Sequence, residues 1–143
     1  MIQGQYDFSR PIGETFDYVA DFRNENEWNP VAHEVRILTE PPIGKGSRFR
    51  GDYDRVGTME IEIMEYDRPR HLLVHVSSRL FDFVSSFDFA TRGDGTQLVS
   101  AIDAKPKGVF KLISPLLTGM LKKQLKTNWG LLKRTLESRP RSS

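Results

Sequence analysis

An α+β fold is predicted for this chain: a curved antiparallel sheet of about six or seven strands wrapped around one long C-terminal α-helix, with two short helices after the first strand. Three observations predict it. From Val31 to Pro106 apolar residues recur with period two, broken by tight turn signals, as in consecutive antiparallel strands. From roughly Val109 to Glu137 the period changes to that of a helix. Between the first strand and the alternating region lies a short segment of helical character. A single amphipathic helix must bury its stripe on one sheet face, and so many strands must curl around it to cover it.

Each element follows in order. Tyr6 and Phe8 alternate with polar neighbours as the first strand, which Ser9-Arg10-Pro11 ends. Glu14 to Ala20 is a short helix burying Phe16 and Val19. Asp21 to Glu27 is polar, a second short helix or turn, and it runs into Trp28-Asn29-Pro30, where the proline biases Asn29 away from helix. Trp28 is a packing anchor for the short helices or an aromatic at a pocket rim. His33, Val35 and Ile37 alternate in the next strand. Pro41-Pro42 and Gly44-Lys45-Gly46 turn the chain. Phe49, Gly51 and Tyr53 come next, then Met59, Ile61 and Ile63, then Leu72, Val74 and Val76 after Asp67-Arg68-Pro69. The clearest strand places Phe81, Phe83, Ser85, Phe87 and Phe89 on one face. Gly93-Asp94-Gly95 is a strong hairpin signal, and Leu98, Ser100, Ile102 and Ala104 are the inward set of the last strand.

The long helix closes the chain. Ser114 is a good N-cap and Pro115 suits the first helical position, so the regular helix starts there. Ile113, Leu116, Leu117, Met120, Leu121, Leu125, Trp129, Leu132 and Leu136 share one side, and Gln124 and Asn128 interrupt that stripe one turn apart. Lys122, Lys123, Lys126, Lys133 and Arg134 fall on the other side.

Composition bounds the function. At 143 residues the chain is expected to be one domain, residues 1–143, with an ordered core over about 4–138. It has no cysteine, which excludes disulfides, thiolate metal sites and cysteine nucleophiles and agrees with a reducing cytoplasm. The first residues lack a positive segment followed by an apolar run, so no signal peptide is expected, and no stretch is long enough to span a bilayer. The net charge of +2 is unevenly spread. Residues 1–104 carry 11 Lys/Arg against 18 Asp/Glu, whereas residues 105–143 carry 10 Lys/Arg and a single acidic residue, Glu137. The basic helix face (Lys122, Lys123, Lys126, Lys133, Arg134) is a candidate for weak contact with an anionic membrane; a solvated outer face is its ordinary role. Nucleic-acid binding is not expected, because no aromatics interleave with those basic residues outside the apolar stripe.

At this point the chain resembles the SRPBCC superfamily, the helix-grip fold of START lipid-transfer domains, the birch pollen allergen family and polyketide cyclase/dehydrase-like proteins. The resemblance covers Tyr6 to Glu137. It rests on the order and spacing of Pro11-Ile12 with Phe16-Asp17-Tyr18-Val19-Ala20-Asp21, Glu27-Trp28-Asn29-Pro30, Gly44-Lys45-Gly46, Glu65-Tyr66-Asp67-Arg68-Pro69-Arg70, Asp94-Gly95-Thr96, and Leu132-Lys133 through Leu136-Glu137. It implies a deep apolar pocket between the sheet and the C-terminal helix. It implies no single activity, since most members share no catalytic residues.

If the alternation holds, that pocket is lined by Trp28, Phe49, Tyr53, Met59, Ile61, Val74, Phe83, Ser85, Phe87, Ser100, Leu117, Met120 and Leu121, with Gln124 and Asn128 as polar points from the helix. Apolar walls with a few convergent polar groups suit a hydrophobic small molecule or lipid. The three histidines, His33, His71 and His75, have no spacing that matches a metal site. His71 and His75 fall opposite Leu72 and Val74, towards solvent, while His33 shares a face with Val35 and Ile37, which leaves an inward orientation open; a strand histidine satisfied by its neighbours is its ordinary role. No phosphate-binding loop, dinucleotide fingerprint or nucleophile elbow occurs, so no cofactor and no metal are expected. Three functions follow. The first is binding or transport of a hydrophobic small molecule or lipid. The second is a polyketide cyclase/dehydrase-like enzyme, in which His33, Tyr53, Gln124 or Asn128 would assist proton transfer; with no ordered acid/base constellation it stands behind the binder. The third is a lipid- or quinone-binding module that associates with a membrane or a partner, as coenzyme Q-binding relatives in the superfamily would.

Overall fold

The fold is taken from a computed structural model that describes residues 2–106 and 114–139, apart from the side chains of 81, 104–106, 114–118, 120 and 121. Seven strands, β1 (Ile2–Phe8), β2 (Ala32–Ile37), β3 (Arg48–Tyr53), β4 (Gly57–Asp67), β5 (His71–Ser77), β6 (Phe81–Arg92) and β7 (Gly95–Pro106), form one curved, open antiparallel sheet in the order β1-β7-β6-β5-β4-β3-β2. Helices α1 (Ile12–Ala20) and α2 (Glu25–Trp28), joined by a 3₁₀ turn over Phe22–Asn24, bridge β1 to β2, and α3 (Ser114–Ser138) follows β7. This is the helix-grip α+β architecture expected from the period-two and period-3.6 patterns.

Alternation sets the faces. Ile61, Ile63, Leu72, Val74, Val76, Phe87, Phe89, Leu98 and Ile102 are buried, whereas the immediate chain neighbours of Ile61, Val74, Phe87 and Leu98 are exposed or half-buried. The hairpin between β6 and β7 has Gly93 and Asp94 as its two loop residues, with Arg92 paired to Gly95. Gly93 has φ +61°, a conformation glycine adopts without the steric cost of a Cβ. Gly95 is required for another reason: a Cβ there would lie 2.2 Å from the Phe8 carbonyl oxygen.

Helix α3 is fastened at its C-terminal end. Trp129, Leu132 and Leu136, at steps of three and four, are buried, and Leu125 is half-buried. The Trp129 ring stacks on Tyr6 at 4.9 Å and meets Phe8 and Phe87 edge-on at 6.3 and 5.9 Å. Arg10, only 4% exposed, donates from Nη2 to the carbonyl of Glu137 at 2.7 Å and also to that of Arg139. A guanidinium on the last carbonyls satisfies orphan acceptors and complements the helix dipole. The Ser9 N–H donates to the Glu137 carboxylate at 2.7 Å. Lys122, Lys123, Lys126, Lys133 and Arg134 lie on the exposed side. The expected stripe residues Ile113, Leu116, Leu117, Met120 and Leu121 lie outside the described side chains.

The orientation of His33, left open by the alternation, is outward: it is exposed and bonds Asp54 at 3.0 Å, while Val35 is buried. The register of β2 on β3 shifts between His33 and Arg36, where Glu34 takes φ +52°. That bulge inserts an extra residue and reverses the parity of the strand. The Val35 main chain turns from the sheet to Asn26, which donates to its carbonyl at 2.9 Å and accepts from its N–H at 3.0 Å. Gly51 makes room, since a Cβ there would lie 2.7 Å from Val35 Cγ2.

Candidate functional site

Between the concave sheet face, the α1–α2 segment and α3 lies a cavity of about 630 Å³. Its floor comes from inward positions of the sheet: Met59 and Ile61 of β4, Val74 and Val76 of β5, Phe83, Ser85 and Phe87 of β6, and Ile102 of β7. Leu125, Trp129 and Leu132 of α3 close one side, with Gln124 and Asn128 beside them. Val19, Phe22 and Trp28 close the other. The walls are therefore chiefly aliphatic and aromatic, and buried Ser85 is the sheet's one small polar break among the floor residues just named.

The polar groups gather at the end where α2 meets β3 and the β3–β4 turn. The Asn26–Val35 bonds clamp α2 onto β2. Glu25, the preceding residue, thereby faces β3, where its carboxylate accepts a hydrogen bond from the Tyr53 hydroxyl. Asn29, 5% exposed, also bonds the Glu25 carboxylate, and its Oδ1 accepts from the Val31 N–H at 3.2 Å. Burial pushes the Glu25 carboxyl up to about 7, against the pull of the Tyr53 and Asn29 hydrogen bonds, which favour the ion. Burial and the neighbouring Glu25 charge raise Tyr53 well above its ordinary range, so it stays a neutral donor. Tyr18, which donates to Glu27 at 3.2 Å, is raised by burial first and by Glu27 second.

Two further carboxylates at the rim are engaged: Asp21 is held by Arg23 at 2.9 and 2.8 Å, and Asp54 by His33. Gln124 donates to Asn128 at 2.8 Å along α3, so the two amides that interrupt the apolar stripe are linked to each other. Among the described residues, no group of three or more histidine, aspartate or glutamate side chains could hold a metal ion, and no helix is long and apolar enough to cross a membrane.

The structure brings Trp28, Tyr53, Met59, Ile61, Val74, Phe83, Ser85, Phe87, Gln124 and Asn128 to the cavity. Trp28 both borders it and packs on the core. Phe49 and Ser100 point to the same face but do not border the space. Phe49 is fully buried behind the edge of the Phe22 ring, 5.4 Å away, and Ser100 pairs with Gly4 and Phe87 at the end of the sheet that Trp129 covers. Leu117, Met120 and Leu121 lie outside the described side chains. Sequence reasoning missed Glu25 and Asn29, which sit in a polar stretch where nothing distinguishes them from Asn24, Asn26 or Glu27. The only available signal was Pro30, which ends the helix and turns Asn29 inward.

Known structures share this arrangement. The chain aligns with the Zhui aromatase/cyclase from Streptomyces sp. R1128 at 16% identity and a TM-score of 0.81, covering 99% of this chain and 95% of that one. It aligns with a conserved protein from Geobacillus kaustophilus at 16% identity and a TM-score of 0.75, covering 94% and 93%. With Ara h 8.0201 the identity is 11% and the TM-score 0.71, covering 96% and 97%. At these identities the likeness is one of fold. No curated protein matches the chain in sequence. Residues 2–137 match the family described as polyketide cyclase/dehydrase and lipid transport, so a sheet gripping a C-terminal helix over an apolar cavity is here the fold of a chain that belongs to that family, within the SRPBCC superfamily.

Proposed function

We propose that the protein binds a hydrophobic small molecule or lipid in the cavity between sheet and α3, to carry or sequester it. The observation that carries this is the cavity itself. A space of about 630 Å³ with apolar walls lies within the roughly 300–1,000 Å³ of small-molecule sites. A core packed for stability alone would not keep a space of this size, because each unfilled volume the size of a methyl group costs about 1 kcal/mol. The test is native mass spectrometry of the full chain purified from its own host, with identification of whatever is released on denaturation. One apolar molecule per chain is expected, and Val76→Phe, which fills the floor, should abolish its retention while the fold persists. A chain that takes up no apolar molecule, either in the host or from a panel of added lipids and aromatics, overturns the proposal.

A second function is favoured by Glu25. A carboxyl with a pKa near 7, hydrogen-bonded to a tyrosine at the cavity wall, is suited to general base catalysis near neutral pH. In a cyclase/dehydrase-like enzyme, the chemistry named for the aromatase/cyclase above, Glu25 would take a proton from the bound substrate. Glu25→Gln would then abolish turnover of a polyketide substrate even at saturating concentration; unchanged turnover would exclude the role. Contact of the Lys122–Lys123–Lys126 face with anionic membranes is a further proposal, supported by the position of these residues on the helix that lines the cavity. Salt-sensitive sedimentation with anionic but not zwitterionic vesicles tests it.

A further inference from the structure

The polar end of the cavity has a charge balance that selects among hydrophobic ligands. Three carboxylates border it, those of Asp21, Glu25 and Asp54. Asp21 is neutralised by Arg23, and Asp54 is paired with His33. Glu25 has no cation at ion-pair distance among the described residues; its partners are the Tyr53 hydroxyl and the Asn29 side chain. Arg55 is the one cation bordering the cavity among the described residues, and it sits in the exposed β3–β4 turn with φ +72°, where water competes for its guanidinium. A ligand that seats its apolar body against Val74, Phe83 and Phe87 therefore meets acceptors at its polar end, because the one Tyr53 hydroxyl hydrogen is already given to Glu25, and it meets no buried positive charge among the described residues.

We infer that the Glu25–Tyr53 pair is the polar anchor of the cavity, and that it selects ligands ending in a neutral hydrogen-bond donor, such as a phenol or alcohol, over ligands ending in a carboxylate. The inference rests on the ligand-binding function proposed above. A phenol or alcohol donates to the Glu25 carboxylate, which has lone pairs beyond the one that Tyr53 occupies. A carboxylate in the same place brings a second negative charge against Glu25 and no hydrogen to donate.

The test is competition on the full chain at pH 8 against the neutral fluorophore N-phenyl-1-naphthylamine, using three ligands of nearly equal shape: 1-(2-naphthyl)ethanol, 2-naphthoate and 2-ethylnaphthalene. The alcohol is expected to bind at least tenfold more tightly than the carboxylate. An apolar cavity alone would also disfavour a carboxylate, so the variants are decisive. Glu25→Gln should narrow the alcohol–carboxylate gap at least fivefold. Tyr53→Phe, which removes the bond that holds the Glu25 carboxylate in place, should weaken the alcohol severalfold and leave 2-ethylnaphthalene unchanged. A gap that survives Glu25→Gln undiminished, or a carboxylate that binds as well as the alcohol to the native chain, overturns the inference while binding of 2-ethylnaphthalene keeps the cavity proposal standing. Failure of all three ligands and of the fluorophore overturns both. The native-chain series needs no variant to fold, and circular dichroism identifies a variant that does not.

Discussion

The two ends of the space between sheet and α3 are built from opposite chemistry. At the C-terminal end of the helix, Trp129, Leu132 and Leu136 belong to one core cluster with Phe8, Phe16, Phe87, Phe89 and Leu98, against which half-buried Tyr6 packs. Arg10 and Ser9 lock the last turn from the β1–α1 junction. At the other end the helix presents Gln124, Leu125 and Asn128 to a cavity whose far wall carries Glu25, Tyr53 and Asn29. The first region supplies burial, and the second sets polar groups, half-buried Glu25 and Asn128 among them, beside apolar walls. The difference teaches how a cavity is kept in a small domain: a helix fastened by aromatic packing and a buried guanidinium around Trp129 to Glu137 need not pack as closely on the sheet where it carries Gln124 and Asn128.

The comparison breaks most visibly at the sealed end. Phe16, fully buried and edge-on to Tyr66 at 5.3 Å and Phe89 at 5.1 Å, should cost about 3–5 kcal/mol when replaced by alanine, read by urea unfolding. Leu125→Ala, half-buried at the cavity, should cost less than half as much; equal losses at the two sites would mean that the cavity end is packed like the core.

Glu25 supplies the next largest effect, with a sign that distinguishes the two ends. Its folded pKa of about 7 lies above the unfolded value of 4.5, so the folded state holds the proton longer. The stability it contributes is fully present below about pH 4.5 and is lost as pH rises through 7, by roughly 3 kcal/mol at most. Urea midpoints of the native chain should therefore fall between pH 5 and 8 relative to Glu25→Gln, whose profile lacks this component. Parallel profiles would remove the raised Glu25 carboxyl from the account.

Arg10→Met keeps the stem volume and removes the cap, leaving the Glu137 and Arg139 carbonyls without this donor. A loss of about 1–3 kcal/mol is expected, with hydrogen exchange accelerated most in the last turns of α3. Exchange that changes equally along the helix would argue against a local fastening.

The smallest effect belongs to the outer sheet face. His71 lies between Glu65 at 2.9 Å and Asp88 at 2.7 Å, and the Glu65 hydrogen bond first, with Asp88 after it, raises its pKa. A raised histidine contributes its stability below about pH 6.5 and loses it as pH rises through the folded value. Exposed as the partners are, His71→Gln should cost only a few tenths of a kcal/mol at pH 6 and less at pH 9. An NMR titration of His71 showing no upward shift would remove this contribution.

What the sequence alone determined is whatever depends on neighbours a few residues apart. Period-two alternation in Leu72, Val74 and Val76 or Phe83, Ser85 and Phe87 assigns the inward face of each strand, because a pleated backbone leaves no other choice. The three- and four-residue steps of Leu125, Trp129, Leu132 and Leu136 do the same for the helix. That was enough for the fold and for the ten predicted residues that border the cavity. Only the tertiary structure decided the rest. His33 turned outward because Asn26 takes the Val35 main chain out of the ladder and a bulge reverses the parity, which alternation cannot register. Glu25 became a half-buried acid with a raised pKa because α2 is clamped over Tyr53, 28 residues away. The size of the cavity depends on how far α3 stands from the sheet, and part of that distance is set by Arg10 reaching 127 residues along the chain to Glu137. Local periodicity specifies which way a side chain points; the space in front of it depends on contacts between segments that the pattern does not link.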